Sequence, residues 1–208
     1  MLFVIEMKKI ILIAVALLTA FSASAVETAD AFLGRVAAKL KSSPSIVASY
    51  RLTTDGASQR GTLTVAGNCF TIDAPGLRSW YDGKTQWTYS SQTGEVNITE
   101  PSPEEVEQIN PFAVINAFRQ GYKSQFVPAA AGLKKIKMTS SVPGNDISNV
   151  LLTVSDKTLN PAEIVLTLSS NQVIIIRIDS VKAGVKMPAS SFRFDKSKFP
   201  GVEVVDLR

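Results

Sequence analysis

The sequence predicts a mainly β chain with a few short helices, built on one antiparallel sheet that is strongly curved or closed. Three observations carry this reading. After Ile46, apolar and polar residues alternate over most of the chain, broken by Gly- and Asp-containing turns at hairpin spacing. Helical spacing occurs in only three short stretches, too few to cover a flat sheet of roughly ten or eleven strands. The 208 residues include no histidine and one cysteine, so neither a disulfide nor an imidazole-based site organises the chain.

The N-terminal 25 residues have a logic of their own. Lys8 and Lys9 precede an almost wholly apolar run from Ile10 to Phe21, and Ala23-Ser24-Ala25 closes it. Basic, apolar and small residues in that order form a secretory signal peptide, and the apolar run is shorter than the ~20 residues that span a bilayer. The expected mature chain starts at Val26, with residues 26–208 as a single exported domain. No cysteine stands at the cleavage point for lipid attachment. The net charge of +4 is mild and scattered, which argues against a nucleic-acid partner.

Each element follows from its local pattern. Ala29, Phe32, Leu33, Val36, Ala37 and Leu40 fall on one helical face, with Thr28 as N-cap and Ser42-Ser43-Pro44 as the stop. Ile46–Thr53, Gly61–Ala66 and Cys69–Asp73 alternate as strands. Arg78–Tyr89 reads as a hairpin around Asp82-Gly83, a dipeptide suited to a type I′ turn. Glu95–Thr99 follows. Ser102-Pro103-Glu104-Glu105 is a capping box, and Asn110-Pro111 starts a second helix ending at Gly121. Lys134–Ser140, Ile147–Ser155, Glu163–Leu168 and Gln172–Asp179 are further strands. Phe192 and Phe194 alternate near the end, and Val202–Val205 closes the chain. Val173–Ile178 is apolar on both faces, so its second face needs cover.

A curved sheet around short helices can fill its interior with side chains or enclose a ligand cavity. The candidate lining is Leu63, Val65, Phe70, Ile72, Trp87, Tyr89, Phe112, Ile115 and Phe118. These side chains suit hydrocarbon contact, and they equally suit a closed core. None is catalytic. Without histidine or a nucleophile motif the chain reads as a non-enzyme, with no cofactor and no metal.

Asp82-Gly-Lys-Thr-Gln-Trp-Thr-Tyr resembles the D-G-x-x-x-W-x-Y signature of the LolA family, periplasmic carriers of outer-membrane lipoproteins. The Asn110-Pro-Phe helix resembles that family's lid, and Phe192-Arg-Phe-Asp with Pro200-Gly-Val-Glu-Val-Val-Asp resembles its ending. The resemblance implies a half-open antiparallel barrel with an apolar cavity under a helical lid. It also implies acyl chains of lipoproteins as cargo, an inner-membrane lipoprotein-releasing ABC transporter as donor, an outer-membrane acceptor, and a periplasmic, monomeric carrier. One feature departs from the family. The Arg-Pro pair expected after the second strand is replaced by Val65-Ala-Gly-Asn-Cys, so either Arg51, Arg78 or Asn68 takes over lid control or the lid is controlled differently. A carrier of a different apolar ligand, such as a glycolipid or pigment precursor, and a lipoprotein-sensing regulator remain as alternatives on the same fold.

Overall fold

The computed structural model describes residues 27–102, 105–106 and 121–208. Among the described residues, helix α1 (Ala29–Ser42) precedes twelve strands. The first six are β1 (Ile46–Thr54), β2 (Ala57–Ala66), β3 (Cys69–Ala74), β4 (Leu77–Tyr81), β5 (Gln86–Ser90) and β6 (Glu95–Thr99). The rest are β7 (Tyr122–Val127), β8 (Leu133–Ser140), β9 (Ile147–Ser155), β10 (Pro161–Leu168), β11 (Val173–Ala183) and β12 (Glu203–Asp206). All twelve form one sheet in the order β12-β6-β5-β4-β3-β2-β1-β11-β10-β9-β8-β7. The β1–β11 pair joins the two halves, and β7 and β12 are its open edges.

The predicted curved, half-open sheet is what forms, with one difference in direction. Every pairing is antiparallel except β12 with β6, which is parallel. Its cause is the long connection after β11. The chain crosses one face of the sheet before it reaches β6, and a crossover of that length permits parallel pairing. The predicted lid helix and its residues Phe112, Ile115 and Phe118 lie outside the described residues, as does the leader.

α1 is built as its sequence dictates. The Thr28 hydroxyl accepts a hydrogen bond from the Ala31 amide at 3.2 Å, and the helix stops with Ser43 in extended backbone. Phe32, Leu33 and Val36 are fully buried. They pack on Ile46 of β1, Ile136 and Met138 of β8, and Val150, Leu152 and Val154 of β9. The Lys39 ammonium donates to the Thr158 carbonyl and ties the last turn of α1 to the β9–β10 loop.

The type I′ geometry expected at Asp82-Gly83 forms at a different turn. The type I′ turn lies at Asp55-Gly56, where φ is 52° and 79° and Thr54 pairs directly with Ala57. At Asp82-Gly83 the strands instead close on Tyr81 and Gln86, leaving a four-residue loop. There Asp82 uses its side chain, accepting from the Lys84 and Thr85 amides at 3.1 and 3.0 Å. Such local capture of backbone donors is what lets aspartate build turns without a left-handed backbone. The capping box at Ser102 forms as expected. Glu105 N donates to Ser102 Oγ at 3.3 Å, and Ser102 N to Glu105 Oε2 at 2.8 Å.

β7 escapes the sequence pattern because Lys123, Ser124 and Gln125 interrupt any apolar alternation, as suits an edge strand. Gly61 in β2 has a packing reason. It faces Tyr50 of β1, and a Cβ would run into the Tyr50 ring and lie 2.9 Å from the Asp73 carbonyl oxygen.

Candidate ligand-binding face

Directly paired residues of neighbouring strands project to the same side of a sheet, so the register sorts every side chain. The face that carries α1 is here the inner one. On it, Ile46, Val65, Phe70 and Tyr81 form one row across β1–β4, and Ala48, Leu63, Ile72 and Ser79 the next. Val65, Phe70 and Tyr81 are buried as a cluster, with Leu63, Ile72 and Val106 packed against it. The Phe70 and Tyr81 rings lie 5.2 Å apart. Four of the predicted lining residues, Leu63, Val65, Phe70 and Ile72, therefore share one surface.

The same face continues through β1 into β11. Leu52, Ile174, Ile176 and Ile178 point to it by register and are half-buried. They belong neither to the cluster under α1 nor to the one around Phe70. With Leu63 and Ile72 they form an apolar strip that α1 leaves uncovered. Sequence reasoning did not include the β11 residues in the lining, although the double-faced apolar run Val173–Ile178 was the signal for them.

Trp87 and Tyr89 are elsewhere. Trp87 pairs with Trp80, and Tyr89 with Arg78 and Val96, all on the outer face. Alternation in β5 placed them together correctly, but it could not say which side of the sheet they take. The reason is the C-terminal segment after β11. Its 3-10 turn Ala189–Phe192 packs against β3, and Phe194 and Phe199 then stack with Trp80 and Tyr89 at centroid distances of 5.0–5.6 Å. Phe192 and Val96 are buried as well. The hairpin and the Phe-x-Phe ending thus form one structural unit, a tail bound to the outer face.

An ion pair fastens that unit. Arg193 Nε donates to Asp82 Oδ2 at 2.9 Å, and the Asp82 side chain is only 13% exposed. Burial alone would push its carboxyl up. The hydrogen bonds from Thr85 and Lys84 and the Arg193 guanidinium outweigh burial and hold it below the usual carboxylate range. A depressed folded value means that the charge stabilises the fold above the unfolded pKa, near 4, and that this is lost as pH falls through the folded value. Asp82→Asn is therefore expected to lower the melting temperature at neutral pH. The gap to the parent chain narrows progressively below about pH 4, a trend that thermal melts across pH will check.

The remaining polar candidates divide clearly. Arg51 is paired with Asp179 at 2.8 Å on the outer face. Arg78 is paired with Asp73, also on the outer face, and its guanidinium lies 5.8 Å from the Trp80 ring. Asn68, in the β2–β3 turn, lines an open groove of about 510 Å³ with Tyr81, Gly83, Lys84, Pro101 and Val106. Of the three, Asn68 alone borders the start of the segment that follows Ser102. Cys69 has no activated thiol. Burial and the nearby Asp82 charge push it up, against an opposing pull from Arg193.

The family model described as "Outer membrane lipoprotein carrier protein LolA" matches residues 18–169. The chain belongs to the LolA family. Among solved structures, an uncharacterized conserved protein from Thermus thermophilus is similar in fold. Its TM-score is 0.57 at 13% identity, over 84% of this chain and 96% of that one. A LolA superfamily protein from Nitrosomonas europaea aligns at TM-score 0.40 and 15% identity, over 82% of this chain and 99% of that one. MucB of Pseudomonas aeruginosa, solved in complex with MucA, aligns at 0.46 and 11%, over 80% of this chain and 61% of that one. No protein curated for function matches this chain in sequence. The inner face divides into a region packed under α1 and an apolar strip that runs from β3 through β2 and β1 to β11. No described helix is long and apolar enough to cross a membrane.

Proposed function

We propose that this LolA-family chain is a non-enzymatic periplasmic carrier that holds lipoprotein acyl chains on the inner face of its sheet and ferries them from inner to outer membrane. The observation that carries the reading is the apolar strip of Leu52, Leu63, Ile72, Ile174, Ile176 and Ile178 that α1 leaves uncovered in a member of a lipoprotein-carrier family. Acyl chains cannot cross an aqueous space unshielded, because each exposed CH₂ costs ~0.8 kcal/mol. Val65 and Phe70 form the packed floor beside the strip, and Phe112, Ile115 and Phe118 belong to a lid over it. In this reading the leader, residues 1–25, directs export, and residues 26–208 act as a monomeric single domain. An inner-membrane lipoprotein-releasing ABC transporter loads the carrier and an outer-membrane acceptor unloads it. Binding must be moderate for unloading to need no energy source, so lid contacts and cargo compete for the same apolar surface.

A second reading, a carrier of another apolar ligand such as a glycolipid, draws support from the two arginines. Arg51 and Arg78 are committed to ion pairs on the outer face and do not replace the family's Arg-Pro pair there. Native mass spectrometry of protein purified from its own envelope separates these readings. A triacylated peptide adduct is the expected result. A glycolipid adduct would establish the second reading, and a consistently empty chain would overturn both.

A further inference from the structure

The inner face changes character between β4 and β5. Beyond Tyr81 the row continues as Gln86 and Thr99, and beyond Ser79 as Thr88 and Asn97. The apolar residues of these two strands, Trp87, Tyr89, Val96 and Ile98, all take the outer face, where Phe199 of the tail meets Tyr89. The usual inside-apolar pattern is inverted here, and a polar field adjoins the apolar rows without a break.

This field is only partly satisfied by itself. Ser79, 3% exposed, accepts from Gln86 Nε2 at 3.0 Å and lies 3.3 Å from the Thr88 hydroxyl. The Asn97 amide and Thr99 hydroxyl, half-buried beside them, make no side-chain hydrogen bond among the described residues. An asparagine side chain offers two donors and an acceptor, and a threonine hydroxyl offers both roles. These two rows contain no charged residue; carboxylates stand only at their margins, Glu95 at one end and Glu100 and Glu105 at the other. At that latter end the field opens into a groove of about 530 Å³ that Gln86 and Thr99 line with Leu207 and Arg208. Apolar rows alone would accept any hydrocarbon. A contiguous, uncharged, incompletely bonded polar field selects what is attached to it.

We propose that Thr88, Asn97, Gln86 and Thr99 form a headgroup subsite for an uncharged hydrogen-bonding amphiphile, whose esters, amides or hydroxyls they meet while its chains lie on the apolar rows. This rests on the carrier reading and adds a selectivity to it. Glu95 disfavours an anionic head at one margin, and bare hydrocarbon leaves the field unpaired, at the cost of its desolvation.

The test uses the full chain and four pyrene-tailed probes of matched length: a plain alkane, an acylglycerol, an alkyl glucoside and a fatty carboxylate. The parent chain is expected to bind at least one neutral-headed probe about tenfold more tightly than the alkane, the equivalent of one or two hydrogen bonds. The near-isosteric pair Thr88→Val with Asn97→Leu should erase that preference without weakening alkane binding, with Thr99→Val alone giving a partial loss. Preference for the acylglycerol points to ester-bearing lipids as the source, preference for the glucoside to glycolipids. No preference in the parent chain, a preference that survives in the variants, or strongest binding of the carboxylate overturns the subsite. If no probe binds, the carrier reading falls as well.

Discussion

Phe32→Ala is expected to cost about 3–5 kcal/mol of unfolding free energy, among the larger effects available to a single core truncation. Phe32 is fully buried, meets Phe126 edge-on at 5.8 Å, and carries the Arg35 guanidinium 5.2 Å above its ring. It sits at the junction of α1 with the edge strand β7, whose Phe126 is already 37% exposed. Collapse of β7 into the void would strip an edge that, among the described residues, has no further strand beyond it. The void therefore persists, and the loss falls at the high end for one ring. Denaturant unfolding monitored by far-UV circular dichroism will measure it. A loss under about 1 kcal/mol would show that α1 is not what anchors that half of the sheet.

Ile72→Asp should weaken binding of an apolar probe by on the order of a hundredfold, since a carboxylate in the strip must lose its hydration against hydrocarbon. Ile72 is half-buried and faces Leu63 across β2–β3. Tyr89→Ala is the informative control. It removes a larger aromatic surface, yet Tyr89 contacts Phe199 on the outer face, so probe affinity should not change even if stability falls. Titration of an environment-sensitive dye, with a thermal melt of each variant to establish folding, gives both numbers. Equal losses in the two variants would place the ligand away from the inner face.

These two substitutions also mark what the amino-acid order conveys and what it withholds. Period-two alternation located most of the strands, and helical spacing with a Thr28 cap located α1, because those periods are set by local backbone geometry. Alternation also assigned Leu63 with Val65 and Phe70 with Ile72 to shared faces. It could not assign Trp87 and Tyr89 to the outer one. That choice depends on Phe194 and Phe199, more than 100 residues away, and on the crossing path that brings them there. The parallel β12–β6 pair depends on the same path. β7 was illegible for another reason: an edge strand with Lys123, Ser124 and Gln125 has no apolar period to read. The polar rows of Gln86, Thr88, Asn97 and Thr99 look like ordinary solvent-facing alternation until register shows them level with Phe70 and Ile72.

The central claim is a location: the cargo's chains lie on the inner apolar rows. A fatty acid carrying a diazirine near its terminal methyl group, bound to the full chain and activated by light, tests this directly when the labelled peptides are sequenced. Labels concentrated on Leu52, Leu63, Ile72 and the Ile174–Ile178 stretch are the predicted result. Labels confined to Trp87, Tyr89, Phe194 or Phe199, with the inner strip unmarked, would contradict it.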